Sequence, residues 1–136
     1  MAKPSKTVLV VEDEPTVLAL AVSIIEDDLG YAALSAANAR EALALLEQDQ
    51  IDLLFTDINL PDGPDAINGL ELARRAVEMR PGLPVIYTSG GGQTDGMAAL
   101  FVDGSSFLSK PYKKEDLLQA VKGLEGACEA PLNDHD

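Results

Sequence analysis

Ile51-Asp-Leu-Leu-Phe-Thr-Asp57 is the stretch whose reading decides the fold. A short apolar run ends abruptly in a carboxylate. The same design recurs along the chain: Thr7–Val11 leads into Glu12-Asp13-Glu14, Leu83–Thr88 into Ser89, and Ser105–Ser109 into Lys110. Strands that deliver polar groups only at their C-terminal ends imply a parallel sheet with a site along that edge. The site would hold clustered carboxylates, one hydroxyl and one ammonium. That set suits binding a divalent cation and transferring a phosphoryl group.

The segments between these runs carry helical spacing. Glu14–Leu29 places Val17, Leu18, Ala21, Ile24, Ile25 and Leu29 on one face, and Gly30 supplies a stop. Tyr31–Ala36 reads as a weaker strand. Asn38 is placed to cap a helix over Ala39–Gln48, with Glu41 at its third position. Gly69–Arg80 predicts a helix ended by Pro81-Gly82, Asp95–Val102 a short one, and Lys113–Leu124 the last. Strands alternate with helices throughout. Right-handed crossovers then put helices on both faces of a single, doubly wound, five-stranded parallel sheet of the α/β class.

The bulk properties narrow the function. A chain of 136 residues predicts one domain; residues 1–128 are expected to form it and 129–136 a polar C-terminal tail. A formal net charge of −13 argues against nucleic acid and against anionic membrane surfaces as direct partners. The single cysteine, Cys128, excludes an intramolecular disulfide and points to a reducing compartment. No apolar run approaches the roughly 20 residues of a membrane span, and the basic N-terminus lacks the apolar core of a signal peptide. The expected location is the cytoplasm.

At the strand ends, Asp57 sits where the backbone turns out of the sheet, and a carboxylate there can become an aspartyl phosphate. Glu12 and Asp13 end a second strand. Three crowded carboxylates repel one another and raise their pKa values, a penalty that a divalent cation removes. An all-oxygen ligand set favours Mg²⁺. Lys110 can pair with phosphoryl oxygens as a mobile point charge, and Ser89 can donate a hydrogen bond. The plainer alternatives are that Glu12–Glu14 caps a helix and that Lys110 is a solvated lysine. The joint placement at several strand ends favours the site.

These residues carry a family resemblance over Thr7 to Leu124. Val8-Leu-Val-Val-Glu-Asp-Glu-Pro15, Leu53-Leu-Phe-Thr-Asp-Ile-Asn-Leu-Pro61, Pro84-Val-Ile-Tyr-Thr-Ser-Gly90 and Phe107-Leu-Ser-Lys-Pro-Tyr112 together resemble the receiver domain (CheY-like) of bacterial two-component response regulators. The resemblance implies a flavodoxin-like topology with strand order 2-1-3-4-5. It implies Asp57 as phosphoacceptor; Glu12, Asp13, Asp57 and the Asn59 backbone carbonyl as Mg²⁺ ligands; Lys110 as phosphoryl contact; and a cis Lys110–Pro111 peptide. Ser89, five residues after Pro84, takes the switch hydroxyl, and strand alternation turns Thr88 to the opposite face. Phe107 takes the switch aromatic and has no hydroxyl, so its switching rests on ring packing.

The sequence departs from the family in three places. Between Pro61 and Gly69 the chain is about four residues longer than usual, predicting an enlarged loop over Asp62–Asn68 that either shapes partner choice or is a neutral insertion. Gly90-Gly91-Gly92 predicts a mobile loop after the switch hydroxyl. The helix over Asp95–Val102 contains Gly96 and is short. A haloacid-dehalogenase-type phosphatase is the enzyme rival, but it needs a second Asp where Asn59 stands, and it places its nucleophile on the first strand. A flavodoxin-type FMN carrier fails because Glu12-Asp13-Glu14 would repel its phosphate.

The expected function is that of a stand-alone signalling receiver, not an enzyme, although it takes part in its own aspartyl phosphorylation and dephosphorylation. It takes a phosphoryl group from a histidine kinase or histidine phosphotransfer protein. No output domain follows Leu124 in this sequence, so the expected output is protein–protein contact with a downstream target, as a monomer or weak homodimer. The alternatives are a phosphorelay intermediate or sink and a receiver cut from a hybrid histidine kinase.

Overall fold

The computed structural model describes residues 6–60, 67–90, 101–102 and 105–129, with side chains up to residue 123. Five strands form one sheet: β1 (Thr7–Val11), β2 (Ala32–Ala36), β3 (Leu53–Asp57), β4 (Val85–Ser89) and β5 (Ser106–Ser109). All pairs are parallel and the order is β2-β1-β3-β4-β5. The helices among the described residues are α1 (Pro15–Ser23), α2 (Ala39–Gln48), α3 (Gly69–Met79) and α4 (Lys114–Glu129).

The strands are apolar at consecutive positions because both faces of a parallel sheet are covered. Alternation along each strand then sorts side chains into two cores. Leu9, Val11, Leu54, Val85 and Tyr87 pack on one face with Leu46 of α2 and Leu72 and Ala76 of α3. Val8, Val10, Leu53, Phe55 and Ile86 pack on the other with Ala21 of α1 and Leu117 and Val121 of α4. Two cores on opposite faces hold the strands in one register, so the residues that follow β1, β3 and β4 emerge side by side at one edge.

Helix starts follow the sequence closely. Asn38 Oδ1 accepts from the Glu41 N–H at 2.9 Å, while Glu41 Oε1 accepts from the Ala37 N–H at 2.8 Å. Asn68, expected within a loop, caps α3 by accepting from the Glu71 N–H at 3.0 Å. One helix differs from expectation in its pitch and another in its end. The first helix changes pitch after Ser23 into a π-helical turn over Ile24–Asp28, closed by the Leu29 N–H to the Ile24 carbonyl at 3.2 Å; Gly30 then ends it at φ 71°. The last helix runs to Glu129 rather than stopping at Leu124. Most of the expected Asp95–Val102 helix lies outside the described residues, and its last two residues, Phe101 and Val102, are not helical. The expected enlarged loop is likewise outside them up to Ala66, as are Gly91 and Gly92.

Two positions near the sheet edge generate stability predictions. A Cβ added at Gly69 would lie 2.1 Å from the Asp57 carbonyl oxygen. The clash is with backbone, which cannot move aside cheaply, so Gly69→Ala is expected to destabilise the fold by about 1–3 kcal/mol. Thr88 is 2% exposed and its Oγ1 has no hydrogen-bond partner among the described residues. An unsatisfied buried hydroxyl penalises the native state, so Thr88→Val is expected to raise stability by about 1 kcal/mol. Denaturant melts of both variants check the pair; an unchanged Gly69→Ala midpoint or a lowered Thr88→Val midpoint contradicts them.

Candidate functional site

The carboxylates of Glu12, Asp13 and Asp57 converge at the C-terminal edge of β1 and β3, with one ligand oxygen from each within 4.8 Å of the others. Glu12 and Asp57 are each only 4% exposed, whereas Asp13 is exposed. The cation reaching them is Lys110, from the turn after β5. Its Nζ lies 2.8 Å from Glu12 Oε1 and donates to Asp57 Oδ2 at 2.9 Å. The Lys110 backbone N–H donates to the Ser89 carbonyl at 3.0 Å, extending the β4–β5 ladder by one step. The Lys110–Pro111 peptide is cis.

Each acid is further held by backbone. Glu12 Oε2 accepts from the Glu14 N–H at 3.1 Å, and Asp57 Oδ1 accepts from the Asn59 N–H at 3.0 Å. Glu14 occupies the N-cap of α1 but makes no side-chain cap bond. The alternative in which this acidic triplet serves only as a helix cap therefore lacks its main contact. Burial pushes the Glu12 carboxyl above its ordinary pKa, with the Asp57 charge adding to it and the Lys110 hydrogen bond opposing it. Burial alone would lower the Lys110 pKa, but its hydrogen bonds to Glu12 and Asp57 outweigh that, and the ammonium is held above its usual value.

The remaining predicted residues sit on β4 and β5. Ser89 is 1% exposed, and its Oγ accepts from Asn59 Nδ2 at 3.1 Å. Asp57 is paired in register with Thr88, so those two side chains leave the sheet on one face and Ser89 leaves on the other. Phe107 lies on Ser89's face, paired in register with Tyr87. It stacks on Phe101 at a centroid distance of 5.9 Å, and Phe101 stacks on Tyr87 at 4.3 Å.

Three features here escape sequence reasoning. The Asn59 side chain joins the site as well as its backbone. Tyr87 carries a hydroxyl inside the core; its Oη accepts from the Val102 N–H at 3.0 Å. Tyr112 packs edge-on against Phe55 beneath the acids. Its phenol is pushed up to about 12 by burial and then by the Glu12 and Asp57 charges, with Lys110 opposing. The only trace of these features in the sequence is residue type, since Asn, Tyr and Tyr carry hydrogen-bonding groups where apolar residues would fill the same space.

The donor set fits a small hard cation: three carboxylates, one of them exposed to solvent, with no nitrogen or sulfur ligand in the cluster. A buried carboxylate with an ammonium alongside is also the pairing that phosphoryl transfer needs.

Comparison with known proteins follows the same line. The model of the response regulator receiver domain matches residues 8–122. The transcriptional regulatory protein GlrR of Escherichia coli (strain K12) is 32% identical over 114 residues, covering 83% of this chain and 24% of GlrR. An uncharacterized 14.6 kDa protein of Leptolyngbya boryana is 35% identical over 118 residues, covering 85% of this chain and 86% of that protein. Among solved structures, a response regulator receiver protein from Sinorhizobium medicae WSM419 superposes with a TM-score of 0.78 at 30% identity, covering 91% of this chain and 97% of its own. The chain spans between 24% and 57% of the length of the transcriptional regulators it matches. No helix among the described residues is long and apolar enough to cross a membrane. With its sheet order, its edge of acids and the match across residues 8–122, the chain belongs to the response regulator receiver domain family, signalling modules in which phosphorylation falls on an aspartate.

Proposed function

We propose that Asp57 is the phosphoacceptor of this receiver and that its phosphoryl group comes from a phosphohistidine on a histidine kinase or histidine phosphotransfer protein. The observation that carries this is Lys110 Nζ, held at once by Asp57 at 2.9 Å and Glu12 at 2.8 Å. An ammonium so placed faces the phosphoryl oxygens as well as the acceptor. In the transfer, a carboxylate oxygen of Asp57 forms a bond to phosphorus as the P–N bond breaks. The electron pair of that bond leaves with the imidazole, which departs neutral when its other nitrogen carries a proton. The product is an acyl phosphate.

Receiver domains bind Mg²⁺ at an acidic site, and the cluster fits that ion. Glu12, Asp13, Asp57 and the Asn59 carbonyl would hold it, and the ion would neutralise charge on the transferring group. The protein's own residues do the rest. Lys110 pairs with the phosphoryl oxygens, the Asn59 N–H keeps the Asp57 carboxylate aimed, and burial excludes the water that would compete. Ser89 and Phe107 respond to the modified site by moving inward, which shifts an existing equilibrium on the face carrying β5. Output runs through protein–protein contact at that face, with a downstream protein as the reader.

The acid cluster and the acceptor are separable by experiment. Incubated with phosphoramidate or acetyl phosphate and Mg²⁺, the wild type is expected to gain a single acid-stable, base-labile phosphoryl group and Asp57→Asn none; mass spectrometry reads the difference, and equal labelling refutes the acceptor. Asp13 is exposed, so Asp13→Ala is expected to leave the fold intact. Loss of one of the few carboxylates on Mg²⁺ should weaken binding at least about tenfold. An isothermal titration with unchanged affinity removes Asp13 from the ligand set.

A further inference from the structure

Gly69 opens α3, a place where alanine is the better helix former. Its dihedral angles do not call for glycine either, because the positive-φ glycines among the described residues are Gly30 and Gly82. Space is what requires it. A Cβ at this position would lie 2.1 Å from the Asp57 carbonyl oxygen, 2.9 Å from the Asp57 carbonyl carbon and 2.8 Å from the Ile58 Cα. All three atoms belong to the peptide unit that joins Asp57 to Ile58. The Gly69 N–H also donates to the Ile58 carbonyl at 2.8 Å. The start of α3 therefore rests directly on the backbone that follows Asp57. It is itself held in place: Asn68 caps it by accepting from the Glu71 N–H at 3.0 Å, and Leu70, Leu72 and Ala73 anchor it in the core. Leu60 and Ile67 both lie between the partners of the Ile58–Gly69 hydrogen bond, so that bond ties off the lengthened connection at its base.

We propose that Gly69 is a positioning residue for the acid site: by admitting the start of α3 against the Asp57–Ile58 peptide, it fixes where the Asp57 carboxylate and the Asn59 carbonyl stand, and it isolates both from the length of the connection beyond. The inference rests on Asp57 being the phosphoacceptor and on the Asn59 carbonyl being a Mg²⁺ ligand. Ile58 is gripped from two sides. Its N–H donates to the Thr88 carbonyl at 2.9 Å, and its carbonyl accepts from Gly69. The next N–H, that of Asn59, donates to Asp57 Oδ1 at 3.0 Å, so the carboxylate is aimed by a backbone whose place Gly69 helps to set. A Cβ at residue 69 would have to open its contact with the Asp57 carbonyl by about 1 Å to reach 3.0 Å, below which Cβ contacts are essentially never found. Either the peptide moves or α3 leaves its close-packed core, and the core resists. Mg²⁺ demands near-ideal octahedral geometry at about 2.0–2.1 Å, so a shift of that size at a carbonyl ligand is not absorbed. Added length beyond the tie changes neither of its ends. Gly69 touches neither metal nor phosphorus in this scheme; it acts through the Asp57–Ile58 peptide.

Three variants of the full chain separate this role from plain stability. Gly69→Ala, measured where circular dichroism shows it folded, is expected to weaken Mg²⁺ binding by about tenfold or more in an isothermal titration, and to slow phosphoryl uptake from phosphoramidate by a similar factor. Ala76→Gly lies in the same helix at 0% exposure, about 10 Å further along it. It should lower the denaturation midpoint as well, yet leave Mg²⁺ affinity within about twofold of wild type. Equal losses of affinity in the two variants, or an unchanged affinity in Gly69→Ala, overturn the inference. Deletion of residues 63–66 returns the connection to the family's usual length. It should leave affinity and uptake within about twofold of wild type, since loop length alone changes little beyond the tie. A tenfold loss on deletion overturns the isolation of the site, whether or not Gly69→Ala folds. A wild type that binds Mg²⁺ but takes no label sinks the Asp57 assignment, and the affinities alone then judge Gly69.

Discussion

The site depends on one arrangement of charge: two largely buried carboxylates, Glu12 and Asp57, sharing the ammonium of Lys110. Like charges brought together out of water repel and tend to take up protons. The upward push of burial on Glu12 is that tendency at work. Lys110 opposes it from the end of β5, three strands from β1, and in return the two acids hold the lysine charged against its own burial. Such a cluster destabilises more than it stabilises unless every member is compensated. The compensation therefore has to come from rigid elements, and a parallel sheet provides it by bringing the ends of β1, β3 and β5 to one edge.

That dependence explains how much was legible in the sequence. The acids and the lysine follow directly after apolar runs, so strand recognition alone located Glu12, Asp13, Asp57 and Lys110. Strand limits were less exact for a physical reason. Ile51 is apolar and buried, yet β3 begins only at Leu53: the Asp52 N–H donates to the Thr7 carbonyl at 2.8 Å, but the Thr7 N–H is taken by the Asp52 side chain, at 2.8 Å, rather than by a backbone carbonyl. The π-helical turn was invisible because Ile24, Ile25 and Leu29 fit ordinary helical spacing, and an i→i+5 bond leaves no mark on residue type. The last helix passes the glycines at 123 and 126, which cost it only about 1 kcal/mol each in propensity.

What the sequence could not show is contact between strands. Alternation assigned Ser89 and Thr88 to opposite faces, and the register adds that Thr88 stands beside Asp57. The Asn59 amide and Tyr87 were out of reach because their partners, Ser89 and Val102, are fixed by the packing of β3 against β4 and of the chain after it. Local propensity carries no information about a partner chosen by register.

These contacts make β4 the element that joins chemistry to surface. Thr88 faces the Asp57 side, while Ser89 and Tyr87 share the other face. Ser89 is tied to Asn59 above, and Tyr87 is stacked on Phe101 and bonded to the Val102 N–H below. Phe107 closes the stack from β5. Cores packed at crystal-like density respond to displacement by moving between discrete arrangements rather than yielding gradually. Ser89 and Tyr87 lie two residues apart on a fully buried strand, and the Tyr87 ring bears Phe101, which in turn bears Phe107. The hydroxyl that anchors this ring stack is inside the core, on Tyr87, where it accepts from the Val102 N–H, and Phe107 joins the stack through ring packing alone.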